Sequence, residues 1–443
     1  MINSRQKGFE SKRLNLNSAK MPPAPGGRSF SGNFGGKSIT SFASLKSLFL
    51  RLSTEFSLKL KRRKRPDYSI LLILGLLVAI GTLTLYAISP AVLQRTGGGL
   101  GKQTIFLSLG LFGMFTMYGF TKLDFVIKYS PYLMVISLIL CLLILVPGIG
   151  KVVYGGRRWI GLGPFTMQPS ELVKAASVIF LSGVAVFLKR SSESLNKQVA
   201  YLLSFAMLMG FMIMILQKDL GTTLVISMIM LFVLISAGID KSVVLKLVMV
   251  AVLAFAFSIL SFGYRRERVL SFFDKTKAVE AKDESPADYH LRQSLIAIGS
   301  GGVSGRGVGK SVQSFGYLPE APSDSIFAVY AEKSGLLGSI VLLGLFGALI
   351  RRMLLLRDGL DDYWSSVVGG MTGWVVGNFA VNMGSILGLI PFTGVPLPFF
   401  SLGGTSLVIL LGMMGIVLNL STYSSKASVY RSAVSRVREG SRN

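Results

Sequence analysis

The chain has 443 residues, 51% hydrophobic and 15% charged, with a mean hydropathy of +0.59, a composition that excludes an ordinary soluble domain and points to a membrane protein. Its formal net charge is +26, from 47 Lys and Arg against 21 Asp and Glu; in a soluble protein that excess would suggest nucleic acid, so its position along the chain decides its meaning. One cysteine, Cys141, and one histidine, His290, exclude a disulfide framework and a structural zinc site built from Cys and His.

Residues 1–65 hold 15 basic and 2 acidic residues and read as a cytoplasmic basic tail. Its first 37 or so, rich in Ser, Gly, Asn and Pro, predict disorder. Over 40–58, Phe42, Leu45, Phe49, Leu52 and Phe56 recur at spacings of three and four, followed by Lys61-Arg62-Arg63-Lys64-Arg65. That pattern predicts an amphipathic helix on the inner leaflet, pinned to anionic lipids by the basic cluster; the alternative is a stop-transfer flank that only sets topology.

A membrane-crossing helix needs roughly 20 mostly apolar residues. Ten runs qualify: 69–88, 103–121, 131–148, 171–188, 199–216, 220–238, 243–262, 326–350, 365–388 and 403–421. Residues 66–421 therefore predict an all-α polytopic membrane domain of ten transmembrane helices. The seam Gln217-Lys218-Asp219 is short enough to force a helical hairpin. Lys and Arg in alternate short loops place both termini in the cytoplasm, with 422–443 a second basic tail. No apolar signal-peptide core lies in the first 30 residues.

On the outer side, Gly155-Gly-Arg157-Arg158-Trp159-Ile160 precedes Gln168, Glu171 and Lys174. The arginines could be interfacial anchors beside Trp159. Glu171 and Lys174, three apart in an apolar helix, could pair, and such a pair is either structural or functional. The long outer loop 263–324, with 9 basic and 8 acidic residues, predicts a folded or half-folded extracellular element, including a helix near 291–299 along the membrane surface. Glycine-rich residues 299–311 nearly imitate a phosphate-binding loop, but Ser304 stands where its first glycine belongs and no strand precedes it. A flexible loop is expected, the alternative being a turn that approaches a lipid-linked pyrophosphate.

Glu320 and Asp324 come next, at the edge of the eighth span, where a carboxylate must be solvated, paired or functional. They share a face only if the turn is helical, whereas Pro319 and Pro322 favour an irregular bend. Asp324 is a candidate for catalysis or for capping the next helix. Residues 389–404 contain three prolines and three glycines but no charge; such backbone is tolerated at membrane depth only inside protein or along a cavity. The segment reads as re-entrant, with Ser401 and free backbone N–H groups near the outer mouth.

The motifs Gly155–Ile160 with Gln168-Pro-Ser-Glu-Leu-Val-Lys174, Gln217-Lys-Asp-Leu-Gly-Thr-Thr223, Gln293–Gly302, Tyr317-Leu-Pro-Glu-x-x-x-Asp324 and Pro391–Gly404 together resemble the SEDS family of shape, elongation, division and sporulation proteins, over about 66–421. The resemblance implies a peptidoglycan glycosyltransferase that polymerises lipid II on the outer face of the bacterial cytoplasmic membrane. The Leu-Pro-Glu-Ala form and the long basic tail favour the FtsW, or septal division, branch over RodA. Asp324 matches the family's catalytic aspartate, a general base for the acceptor sugar's 4-hydroxyl in a single inverting displacement. Arg157, Arg158, Lys174 or a divalent cation, Mg or Mn, would balance the pyrophosphate leaving group. Gln168, Glu171, Gln217, Asp219, Glu320 and Ser401 complete the implied substrate-binding set.

Implied partners are lipid II, a class B penicillin-binding protein and other divisome proteins. A lipid II flippase exploiting Glu171 and Lys174, and a non-catalytic scaffold, are the alternatives. The chain departs from the family at Pro322-Ser323-Asp-Ser325, where His-Thr-Asp-Phe is usual, at Lys333 within Gly-Glu-Glu-Leu-Gly, and at Lys218 within Gln-Pro-Asp. These departures bear on acceptor contacts and partner fit. The two tails carry +17 of the +26, so the excess reads as a topology and inner-leaflet signal and requires no nucleic acid.

Overall fold

The computed structural model describes residues 42–57, 61–62, 66–95, 99–153, 156–162, 165–191, 194–261 and 286–424. Expectations for residues 1–41, for basic residues 63–65, for the first part of the long outer loop and for the tail beyond 424 lie outside those residues.

The apolar runs fold as helices: α2 (Tyr68–Tyr86), α4 (Leu100–Gly119), α5 (Leu123–Leu143), α6 (Pro169–Arg190), α7 (Leu195–Met209), α8 (Leu220–Ala237), α9 (Lys241–Ser261), α11 (Ile326–Arg357), α12 (Asp362–Ile386) and α13 (Gly404–Ser421). Helix α7 continues as a π-helix over Gly210–Leu216 before the 217–219 seam. Three more helices are α1 (Phe42–Ser57), α3 (Pro90–Arg95) and α10 (Pro286–Ser300). Among the described residues, eight helices are long and apolar enough to cross a membrane. The expected ten are thus eight by length and composition, plus α4 and α12, which at 20 and 25 residues are long enough but less apolar.

The composition of α12 has a packing cause. Its Gly369, Gly373 and Gly377 form a stripe against α8, and a Cβ at Gly373 would lie 2.7 Å from the carbonyl oxygen of Met228. Small residues at this spacing let two backbones approach where lipid supplies no driving force between helices. Helix α12 is buried along nearly its whole length and forms the centre of the bundle.

The two ends of the helical region meet. Strand β1 (Lys61–Arg62) pairs antiparallel with the chain's last described strand (Tyr423–Ser424). Asp67, which caps α2 by accepting from the Ser69 N–H, donates its own N–H to Ser421 Oγ at 2.9 Å and holds Arg352 at 2.8 Å. Both ends therefore lie on one side of the bundle.

Helix α1 forms as its periodicity predicts, and the C-terminal part of its apolar face packs on protein, whereas Phe42 at its start is exposed. Phe49, Leu52 and Phe56 are fully buried; Phe49 stacks on Phe180 of α6 at 5.4 Å and Phe56 lies against Tyr363 of α12 at 5.7 Å. Arg190 anchors the helix through Glu55 at 2.7 Å.

The glycine-rich segment is not a free loop. Helix α11 breaks at Gly335 (φ 66°, ψ −162°), and residues 302–307 are inlaid in the break. Arg306 and Gly307 donate N–H bonds to the Glu332 and Lys333 carbonyls at 2.9 and 3.0 Å, while Leu336 and Leu337 donate to the Gly302 and Val303 carbonyls at 2.9 and 3.2 Å. A Cβ at Gly305 would run into the Lys333 carbonyl, so glycine is needed for backbone to touch backbone. The Glu332 carboxylate secures residues 311–313, accepting from Ser311 Oγ at 2.5 Å and from the Val312 and Gln313 N–H groups at 2.9 and 3.2 Å. Lys333 donates to the Ala87 carbonyl at 2.6 Å, at the C-terminal end of α2 where a cation opposes the helix dipole.

Gly305 and Gly307 share a left-handed φ (82° and 85°), but nothing lies within 4 Å of a Cβ at Gly307. Gly307→Ala should cost only the backbone penalty, about 1–2 kcal/mol, and Gly305→Ala on the order of 3 kcal/mol with the added overpacking. Thermal unfolding in detergent should rank them in that order; equal midpoints would refute the inlay.

Candidate active site

Two segments that cannot be regular helix meet at the outer mouth. In 317–324, Pro319 and Pro322 enforce an irregular bend. Glu320 takes a left-handed φ of 47°, and its carbonyl accepts from the Ser323 and Ser325 N–H groups at 3.0 and 3.3 Å. The 389–404 segment docks on this bend, with the Leu402 N–H donating to the Pro322 carbonyl at 2.8 Å. Asn382 of α12 locks the junction, its Nδ2 donating to the carbonyls of Asp324 at 2.7 Å and Val395 at 2.8 Å.

Asp324 sits at this junction, its side chain 11% exposed. A Cβ at Gly394 (φ 69°) would lie 3.4 Å from Asp324 Oδ2, so glycine leaves that oxygen facing open backbone. Asp324 does not cap α11; Ser325 occupies the capping position and makes no side-chain capping bond. Burial, and second the charge of Glu320, push the Asp324 carboxyl from 3.8 up to about 8. His290 of α10 also approaches, its Nε2 4.0 Å from Asp324 Oδ1 and 2.8 Å from Ser325 Oγ. Its ring packs on Phe392 at 4.0 Å, and burial pushes the imidazole down to about 4.

The other expected site residues fall into separate groups. Glu320 accepts from Ser323 Oγ at 2.8 Å beside Asp324. Ser401 is buried and turned inward, accepting from the Leu397 N–H at 2.9 Å and donating its own N–H to the Leu397 carbonyl. Within this segment the N–H groups of Leu397, Ser401 and Leu402 are bonded inside the protein.

Between α5 and α6 lies a small antiparallel sheet in the order β2 (Gly150–Val153), β3 (Gly156–Leu162), β4 (Phe165–Met167). From β3, Arg158 donates to the carbonyls of Gln217 at 3.2 Å and Lys218 at 2.7 Å and lies 3.8 Å from Asp219 Oδ2. Asp219 caps α8, accepting from the Thr222 N–H and hydroxyl at 3.0 Å. Gln217 is buried at this seam, and Lys218 takes a left-handed φ of 54°. Arg157 is exposed and donates to the Leu145 carbonyl at 3.1 Å. The Gln168 N–H donates to Thr405 Oγ1 at 3.3 Å.

Glu171 and Lys174 pair at 2.7 Å, both side chains 2% exposed, with Lys174 Nζ 5.3 Å from the Trp374 ring centre. The Arg158 and Asp324 groups are joined through α8, whose Gly221 packs on Thr393 and Val395 beside Gly394. Among the described residues no three His, Cys, Asp or Glu side chains cluster to hold a metal ion. The chain builds no metal cage of its own among those residues; a Mg²⁺ shared with substrate phosphates would need only one or two carboxylates.

Three participants escaped the sequence reading: His290, Asn382 and Gly394. Asn382, a buried amide in an apolar run, carried a usable signal, because polar groups at membrane depth must be satisfied.

The profile of the FtsW/RodA/SpoVE cell cycle proteins matches residues 67–426. The chain is 33% identical to a probable peptidoglycan glycosyltransferase FtsW of Saccharophagus degradans over 368 residues, covering 81% of this chain and 93% of that one. It is 33% identical to the stage V sporulation protein E of Bacillus subtilis over 373 residues, covering 82% and 99%. Among solved structures it resembles a chain of a peptidoglycan synthase complex coordinating polymerization and crosslinking, with a TM-score of 0.66 at 25% identity over 80% of this chain and 97% of that one. It also shares the fold of the rod shape determining protein RodA of Thermus thermophilus, with a TM-score of 0.56 at 24% identity, covering 80% and 96%.

Because its carboxyl is raised, Asp324 contributes stability that is full below about 3.8 and is lost as pH rises through about 8. Asp324→Asn should flatten the fall in thermal midpoint across that window and match or exceed wild type above it. An unchanged slope would refute the raised carboxyl.

Proposed function

The chain belongs to the FtsW/RodA/SpoVE family of cell cycle proteins, and from that premise we propose that it is a peptidoglycan glycosyltransferase polymerising lipid II, with Asp324 as general base. The observation that carries this reading is the Asp324 carboxyl, buried at the junction of the bend, the re-entrant segment and α12, with its proton affinity raised. Once ionised, such a carboxylate is a stronger base than ordinary aspartate, and its affinity is matched to a working pH near neutral. It would accept the proton of the acceptor's 4-hydroxyl as that oxygen attacks the donor's anomeric carbon and the pyrophosphate departs. Asn382 grips the Asp324 backbone, so the base keeps its place during the reaction.

The leaving group needs positive charge. We assign Arg157, the exposed arginine of the pair, to that task, and Arg158 to holding the 217–219 seam with Gln217 and Asp219. Glu171 and Lys174 neutralise each other in the interior and would stiffen α6 against α12. Gln168, Glu320 and Ser401 shape the walls between these groups. A divalent cation, when bound, would add charge at the phosphates.

The FtsW-like features support action at the division septum of the bacterial cytoplasmic membrane. The resemblance to a chain of a peptidoglycan synthase complex supports a class B penicillin-binding protein as partner. Glu171 and Lys174, on which a lipid II flippase would rely, are closed on each other.

Purified protein, with its transpeptidase partner, should convert lipid II to glycan chains resolved on a gel. Asp324→Asn should reduce the rate by about 10²–10⁴, and the wild-type rate should rise with pH through about 8, where Asp324 ionises. Polymer undiminished by Asp324→Asn would overturn the assignment; translocation of labelled lipid II without polymerisation would favour the flippase.

A further inference from the structure

His290 is the chain's one histidine and lies in α10, away in sequence from every residue assigned to the site. Its Nε2 is 2.8 Å from Ser325 Oγ, and that hydroxyl is 3.4 Å from Asp324 Oδ1 and 3.2 Å from the Pro319 carbonyl. Ser325 is fully buried, which removes it as a nucleophile for any bound substrate. His290 Nδ1 is buried and has no hydrogen-bond partner among the described groups.

That orphaned nitrogen decides the tautomer. With the proton on Nδ1, the site would bury an N–H donor with no acceptor, the costlier and rarer fault. With the proton on Nε2, only a lone pair is left unmatched, and the ring donates to Ser325 Oγ. The Ser325 proton then has two acceptors in reach, the Pro319 carbonyl at 3.2 Å and Asp324 Oδ1 at 3.4 Å, and an ionised Asp324 is the stronger of them. A directed chain results, from His290 Nε2–H to Ser325 Oγ and from Ser325 O–H to the carboxylate. The charged groups around the imidazole are Asp324 and Glu320 from the bend. The re-entrant segment presents the neutral ring of Phe392.

We propose that His290 is a positioning residue for Asp324, acting through Ser325: it holds the serine hydroxyl as a donor to Oδ1, so that Oδ2, beside Gly394, is the oxygen that takes the acceptor's proton. The proposal rests on the reading of Asp324 as general base. It gives the three side chains distinct duties: orientation to His290, relay to Ser325 and proton acceptance to Asp324.

Two measurements test it. In lipid II polymerisation, His290→Leu and Ser325→Ala should each lower kcat at least about tenfold with little change in KM, and each should move the midpoint of the pH–rate profile. The double variant should be no worse than either single one, because both break the same chain. His290→Gln, whose amide N–H can replace Nε2–H, should restore most of the rate. Independently of activity, nitrogen NMR of wild-type protein labelled at its one histidine, purified with a histidine-free tag, should show a neutral Nε2–H imidazole whose signals shift in Ser325→Ala. An Nδ1–H tautomer, additive losses, or His290→Gln as poor as His290→Leu would overturn the proposal. Normal rates in His290→Leu with Asp324→Asn inactive would overturn the His290 role alone, whereas polymer undiminished in Asp324→Asn would overturn both readings.

Discussion

A backbone that cannot be helical, placed where water is scarce, must find every hydrogen bond inside the protein. At the junction of 317–324 with 389–404 this chain meets much of that demand. Pro319, Pro322, Pro391, Pro396 and Pro398 forbid helix, yet the Leu402 N–H reaches Pro322, Ser401 closes its own turn on Leu397, and Asn382 serves two carbonyls at once. Asp324 is buried because its neighbours are committed to one another. The resulting loss of hydration, with Glu320 close by, raises its proton affinity.

The surrounding frame is rigid through close backbone approach. The Gly369-Gly373-Gly377 stripe seats α12 on α8, and the glycine inlay fills the break in α11. The first fixes the helix that carries Asn382; the second fixes the helix that begins one residue after Ser325. Arg158 ties the small sheet to the start of α8, whose Gly221 touches the re-entrant segment beside Gly394. A side chain that looks like a free phosphate ligand in the sequence thus supports the geometry around Asp324. Lys333 and Ser325, two departures from the family pattern, have local work: one meets the end of α2, the other links His290 to Asp324.

Much of the fold was legible in the sequence, because runs of apolar residues report burial directly. What buries them is not encoded in periodicity: the stripe Phe49, Leu52 and Phe56 predicts a helix equally well for lipid and for protein, and the structure chooses protein. The glycine-rich segment misled for a related reason, since Gly305 makes sense only beside the Lys333 carbonyl, an atom with no residue signature. The backbone acceptors of Arg158 are hidden in the same way. Asp324 was legible because a carboxylate at a membrane boundary demands an explanation. His290 was not, because its contact with Ser325 exists only after α10 and α11 pack together.

As the proposed base, Asp324 is a carboxyl held protonated by its surroundings and ready to ionise near working pH. Infrared difference spectra between wild type and Asp324→Asn, recorded across a pH series, read this directly. A protonated carboxyl band, absent from the variant, should give way to carboxylate with a midpoint near pH 8. A carboxylate already formed near the ordinary aspartate value of 3.8 would contradict it.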